Sequence, residues 1–188
     1  MGTGEGFDAI ILAGGRAERM GGIDKPALEI GGMTLLSRAV AAAAGARKIV
    51  VLGPRRADDL ETDSRLIWTR EEPPGGGPVA AVAAGLDRVS AERVALLAAD
   101  LPAIDADALG RLLAPLEDAA LDGVLGVDDA GRDQYLCAVY RSAALRRRLD
   151  ADPTTSGASM RSLLEGLRLG RIPLGARARD VDTPADLR

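Results

Sequence analysis

The sequence has no histidine, a single cysteine (Cys137) and four aromatic residues (Phe7, Trp68, Tyr135 and Tyr140) in 188 positions. Without histidine or a second thiol it cannot assemble a Ser-His or Cys-His nucleophile, nor the usual ligand sets of zinc, haem or iron–sulfur centres. One cysteine closes no internal disulfide. No apolar run approaches the roughly 18 residues of a membrane span, and none resembles a signal peptide, so a reducing cytoplasm is the expected location. Four scattered rings make no stacking platform for single-stranded nucleic acid. A strongly basic block is also missing: 24 basic against 28 acidic residues leave a formal net charge of −4, which disfavours nucleic acid as the main partner. Lysine is scarce, with Lys25 and Lys48 the only two among those 24 cations. Chemistry on this chain therefore falls to carboxylates, cations and backbone amides.

Hydrophobic residues make up 47% of the chain and charged residues 28%, a globular composition that at this length predicts one domain over 1–188. Short apolar runs alternate with amphipathic stretches and Gly/Pro loops, which predicts a three-layer α/β fold: a mostly parallel central sheet with helices on both faces. Strands are expected over 7–13, 48–52, 66–69 and 93–99. Helices are expected over 35–44, 79–89 (weakened by Gly85) and 105–116, the last capped by Asp105. Segments 123–127 and 134–140, joined by a turn over 128–131, read as a hairpin adding a small antiparallel edge. Cys137 lies in an apolar strand pattern and reads as a buried, inert thiol. The run Arg146-Arg147-Arg148 reads as solvated charge at a helix end.

The most informative stretch follows the first strand at once: Leu12-Ala13-Gly14-Gly15-Arg16-Ala17-Glu18-Arg19-Met20-Gly21-Gly22-Ile23-Asp24-Lys25. In an open α/β sheet such a loop lies at the carboxyl end of the strands, where ligands bind. Its glycines allow close backbone approach to phosphate oxygens, and Arg16, Arg19 and Lys25 supply positive charge. Neither the Walker nor the Rossmann spacing is present. Asp100 ends the fourth strand, where a carboxylate either faces the ligand crevice and suits Mg²⁺ or caps the turn before Pro102.

These segments resemble the nucleotidyltransferases that attach GMP or CMP to the molybdopterin cofactor, within the broader glycosyltransferase-A-like nucleotidyltransferases. Leu12-Ala13-Gly14-Gly15, Arg19-Met20-Gly21 and Asp24-Lys25-Pro26 follow that family's opening signature. Gly77-Pro78-Val79-Ala80, Ala99-Asp100-Leu101-Pro102 and Asp180-Val181-Asp182-Thr183-Pro184 follow its later ones in order, across nearly the whole chain.

The resemblance implies a molybdenum cofactor guanylyltransferase, which moves GMP from GTP to the terminal phosphate of molybdopterin and releases pyrophosphate. It implies catalytic roles for Arg19, Lys25 and Asp100, and nucleotide contacts from Leu12, Ala13, Gly14, Gly15, Lys25, Glu71, Gly77, Pro78 and Asp100. Mg²⁺ is implied as the cofactor, on Asp100 and Asp182. Glu71 and Gly53 stand where family members tend to carry aspartate and asparagine, so contacts from those side chains differ here. Arg132, Gln134, Ser159 and Arg161 are weaker candidates for holding the anionic acceptor, and transient contact with proteins that deliver or accept the cofactor is implied. The pairing of LAGG with a GPLA-like segment, rather than LAAG, points to the guanylyl branch, with Gly14 leaving room for a purine edge. The alternatives are a cytidylyltransferase, a sugar-1-phosphate nucleotidyltransferase and a nucleotide-binding regulator without catalysis.

Overall fold

The computed structural model describes residues 6–14, 24–55 and 63–181. The first strand, β1 (Phe7–Leu12), is followed by a two-stranded ribbon, β2 (Glu29–Ile30) and β3 (Met33–Thr34), whose tight turn is made by Gly31 and Gly32. Helix α1 (Leu35–Ala42) starts where Thr34 caps it, the hydroxyl accepting from Ser37 N at 3.0 Å. Strands β4 (Ile49–Leu52) and β5 (Leu66–Thr69) precede helix α2 (Pro78–Leu86) and strand β6 (Arg93–Ala98). Helix α3 (Ala106–Leu113) is capped by Asp105, which accepts from Ala108 N at 2.8 Å, and it tightens into a 3-10 turn over Ala114–Glu117. The chain ends with β7 (Gly123–Val127), β8 (Asp133–Arg141), α4 (Ser142–Ala151), the short α5 (Met160–Leu163) and β9 (Leu169–Pro173).

Seven strands form one sheet in the order β5-β4-β1-β6-β8-β7-β9. Every pairing is parallel except those of β8, which runs antiparallel to β6 and β7. Alternation along the strands divides the core into two layers. Ala9 and Ile11 of β1 and Ala95 and Leu97 of β6 face Leu36, Leu109 and Leu112 on one side, while Ile10, Val94 and Leu96 face Val82, Leu86 and Leu145 on the other. Cys137 is fully buried, and burial pushes its thiol up to about 12, so it is not a thiolate near neutral pH. Among the described residues no helix is long and apolar enough to cross a membrane.

The arginine run at 146–148 is not simply solvated. Arg146 donates to the carbonyls of Leu86 (2.5 Å) and Val89 (3.1 Å) past the C-terminus of α2, and Arg148 Nε donates to Leu163 O (3.0 Å) at the end of α5. Arg147 pairs with Asp122 at 3.5 Å. Arg146 and Arg148 thus donate to carbonyls at or just beyond the ends of α2 and α5, so the run ties α4 to two neighbouring helices.

Gly85 also gains a reason in the structure: a Cβ there would lie 2.9 Å from both Cγ2 and Cδ1 of Ile10, so α2 packs closer to β1 than any side chain permits. Gly85→Ala should therefore lower stability, because overpacking costs ~1–3 kcal/mol and outweighs the ~1 kcal/mol gained in helix propensity. Gly110, in α3, meets nothing within 4 Å. Gly110→Ala should raise stability by ~0.5–1 kcal/mol. Chemical denaturation of both variants checks the pair, and equal shifts of the midpoint in the same direction would contradict it.

Candidate functional site

The carboxyl ends of β1, β4 and β6 and the start of β8 open into one cavity of about 1070 Å³. Leu12, Ala13 and Gly14 bring β1 to its rim, and Leu52–Pro54 does the same for β4. The two strand ends touch: Ala13 N donates to Leu52 O at 2.8 Å. Gly53 has φ +155°, and a Cβ there would sit 2.7 Å from Ala13 O, so a side chain at 53 would force the two strand ends apart. Gly14 is different. Its missing Cβ would lie 3.5 Å from Leu52 O, an ordinary contact, so the protein itself has room for alanine at 14.

Segment 70–78 forms the next wall. Glu71, expected to touch nucleotide, lines the cavity and spends Oε1 on the backbone of its own loop, accepting from Gly75 N at 2.9 Å. Gly77, with φ +90°, is the N-cap of α2, and Pro78 follows it at the first helical turn. No side chain caps this terminus, so the first amides of a nine-residue helix start at the cavity wall with their dipole end unanswered by any side chain of the cap. Gly76 O accepts from Gly157 N at 2.9 Å, which ties the loop to the segment before α5.

Asp100 follows β6 at the centre. Its Oδ2 lies 3.6 Å from Lys25 Nζ, and both side chains are largely buried, at 24% and 18% exposure. Lys25 also donates to Val181 O at 2.5 Å, while Val181 N donates to Asp100 O at 3.0 Å. Three segments distant in sequence therefore meet at one cation. Burial pushes the Asp100 carboxyl above its ordinary value; Lys25 opposes this and the negative charge of Asp180 adds to it. Asp180 itself lines the cavity and was not singled out from sequence, although it opens the same motif as Asp182.

Of the residues singled out from sequence, Leu12, Ala13, Gly14, Lys25, Glu71, Gly77, Pro78 and Asp100 thus share one cavity. Gly15, Arg19 and Asp182 lie outside the described residues. Of the four weaker candidates, Gln134 lines the cavity, while Arg132 and Gln134 both donate to the Asp128 carboxylate, at 2.8 and 3.0 Å. Ser159 caps α5, its hydroxyl accepting from Ser162 N at 3.1 Å. Ser159 and the exposed Arg161 line a second cleft of about 480 Å³, whose wall shares Asp133 and Tyr135 with the larger cavity.

A protein of Shewanella amazonensis named molybdenum cofactor guanylyltransferase is 29% identical to this chain over 123 residues. That stretch is 65% of this chain and 63% of the relative, so less than two thirds of the relative's length is matched. Further bacterial proteins of the same name match comparably. Among solved structures, molybdopterin-guanine dinucleotide biosynthesis protein A of Archaeoglobus fulgidus has a TM-score of 0.71 at 20% identity, covering 96% of this chain and 94% of that one. The 2-C-methyl-D-erythritol 4-phosphate cytidylyltransferase of Thermus thermophilus has a TM-score of 0.72 at 18% identity, covering 97% and 95%. Proteins named for guanine and for cytidylyl transfer thus share the fold, and the choice between them lies in the site. The family model of the MobA-like NTP transferase domain matches residues 9–172, from β1 to β9, and this chain belongs to that family.

Proposed function

We propose that this protein transfers GMP from GTP to the terminal phosphate of molybdopterin, releasing pyrophosphate. The observation that carries the reading is the half-buried Asp100–Lys25 pair at the centre of a crevice bounded by a glycine-rich strand end and a helix N-terminus with no side-chain cap. It joins membership of a nucleotidyltransferase family to the names of the curated relatives.

The reaction needs little covalent participation from the protein. An oxygen of the acceptor phosphate attacks the α-phosphorus of GTP, the new P–O bond forms, and the bond from the α-phosphorus to the bridging oxygen breaks with its electron pair leaving on pyrophosphate. A phosphate monoester is already anionic near neutral pH, so no general base is required, which suits a site without histidine. Catalysis then consists of alignment and charge neutralisation. Lys25 and the amides at the start of α2 meet phosphate charge, joined by Arg19 on the leaving pyrophosphate. The ends of β1 and β4 and segment 70–78 hold the nucleoside.

The donor set fits a hard divalent cation. Asp100 is a half-buried carboxylate with the negative charge of Asp180 beside it and, among the described residues, the Lys25 ammonium in opposition, an arrangement that further positive charge stabilises. Mg²⁺ commonly takes one or two carboxylates together with substrate phosphates. Asp100 would hold the ion, with Asp182 as second ligand, and the bound ion would supply charge neutralisation on the phosphates.

Three outcomes test the reading. With molybdopterin as acceptor, pyrophosphate release should show a higher kcat/KM for GTP than for CTP; the reverse order would move the protein to the cytidylyl branch. Asp100→Asn should still fold yet lose most Mg²⁺-dependent turnover, about a hundredfold or more, because the amide keeps the shape and loses the ligating charge; wild-type turnover would remove Asp100 from the chemistry. In Lys25→Arg the wider, planar guanidinium replaces a compact ammonium held between Asp100 and Val181 O. Its turnover should fall about tenfold or more, and unchanged steady-state kinetics would contradict the role.

A further inference from the structure

At the outer end of the cavity, beside β5, the wall is poor in hydrogen-bond donors. Pro54 and Pro74 line it and have no N–H. The Gly53 amide donates to Thr69 O at 3.1 Å, and the Gly75 amide donates to Glu71 Oε1 at 2.9 Å. An ionised Glu71 can only accept. Among the described residues the side chain that brings donors to this end is Arg70, an exposed residue of the cavity wall and the first after β5. The bond from Gly53 to Thr69 fixes the backbone on which it stands.

Arginines elsewhere in the fold are spent on protein acceptors, as Arg65 is on Asp63 and on Ala46 O. No acceptor among the described residues holds the Arg70 guanidinium. A guanidinium has donors on every nitrogen and accepts from none, so whichever of its nitrogens meets a ligand donates. Arg70 therefore calls for a ligand with acceptors at this end of the cavity.

The sheet order says which part of a nucleotide that is. Strands β4 and β1 lie between β5 and β6, so the ends of β5 and β6 are three strand spacings apart, about 14 Å. With the α-phosphorus at Asp100, after β6, that span is filled by a nucleoside monophosphate and the reach of one arginine. The part that meets Arg70 is the outer edge of the base. We infer that Arg70 is a specificity residue for the base, its planar fork donating two parallel hydrogen bonds to O6 and N7 of guanine. This inference deepens the transferase reading above and rests on it. Adenine carries an amino group in place of O6 and would set donor against donor. A pyrimidine, with a single ring, falls short of the fork and leaves it unmatched.

The test compares GTP, ATP and 7-deaza-GTP, in which a carbon replaces N7, on the full chain with Mg²⁺. Direct nucleotide binding is read alongside pyrophosphate release with molybdopterin. Wild-type protein should bind 7-deaza-GTP about tenfold more weakly than GTP, and ATP more weakly still. In Arg70→Ala the affinity for GTP should fall about tenfold and the penalty for 7-deaza-GTP should disappear, with the thermal midpoint unchanged. Arg70→Lys, which keeps the charge and loses the fork, should not restore GTP affinity. A cation that met phosphate would lower the affinity for all three nucleotides by one factor in Arg70→Ala and be rescued by Arg70→Lys. That pattern overturns the inference, as does a 7-deaza-GTP penalty absent from wild type or equally large in Arg70→Ala. Protein that shows this discrimination in binding yet releases no pyrophosphate overturns the transferase reading alone, and protein that turns GTP over without the discrimination overturns this inference alone.

Discussion

A carboxylate partly withdrawn from water gains from a counter-charge, and the crevice is arranged around how Asp100, half-buried, obtains one. Removing a carboxylate from water costs several kcal/mol unless it is paired and hydrogen-bonded. Here the partner is one ammonium, Lys25, which simultaneously holds the carbonyl of Val181, while the backbone of Val181 returns to that of Asp100. The segment after the glycine-rich loop, the end of β6 and the C-terminal segment are thereby bound to each other through a single cation. The pairing leaves the carboxyl raised rather than lowered, since burial and Asp180 together outweigh Lys25. Among the described residues, further positive charge beside Asp100 would therefore be stabilising.

The reversal of β8 gives this centre its second wall. In the parallel part of the sheet only the carboxyl ends of strands reach the crevice, each followed by a loop. Strand β8 runs the other way, with Cys137 opposite Leu97 and Arg141 opposite Arg93, so its first residues reach past the end of β6 beside Asp100. A strand's own alternating side chains, rather than a loop, then face the ligand. Strand-borne groups are held more firmly than loop-borne ones, and Asp128, accepting from the amides of Ala130 and Arg132 and from the side chains of Arg132 and Gln134, fixes the turn that starts this strand.

Much of this was legible in the sequence, for identifiable reasons. β1, β4, β5 and β6 are dense apolar runs cut off by glycine, proline or charge, and such runs have few places to go except the middle of a parallel sheet. Lys25 stands out as a scarce lysine in a glycine-rich loop and Asp100 as a carboxylate at a strand end, whereas Glu71 and Gly77 are legible only through the resemblance of the segments around them. β9 was missed: Leu169–Pro173 is an edge strand of intermediate burial, interrupted by Gly170 and Pro173, and it carries no alternation to read. Asp180 was passed over because an acid at the start of a C-terminal motif carries no sign of facing a cavity until the structure places it on the wall. The arginines at 146–148 misled because a charge run says nothing of carbonyls that only tertiary packing brings near.

Those arginines also explain the chain's preference for one cation over the other. A guanidinium presents five donors in a fixed plane, so one side chain can serve several acceptors. Arg141 donates to the carbonyls of Leu121 and Leu116 and pairs with Glu92, and Arg146 spans the carbonyls of Leu86 and Val89. In a small-residue-rich protein with few aromatic rings to fill gaps between elements, such bridges join helix ends to strands across the surface. Lys25 stands apart from this use. Its charge is concentrated on one nitrogen, held between the Asp100 carboxylate and the Val181 carbonyl. Where this chain needs reach it uses arginine, and at Asp100, where it needs a compact charge in a confined space, it uses lysine.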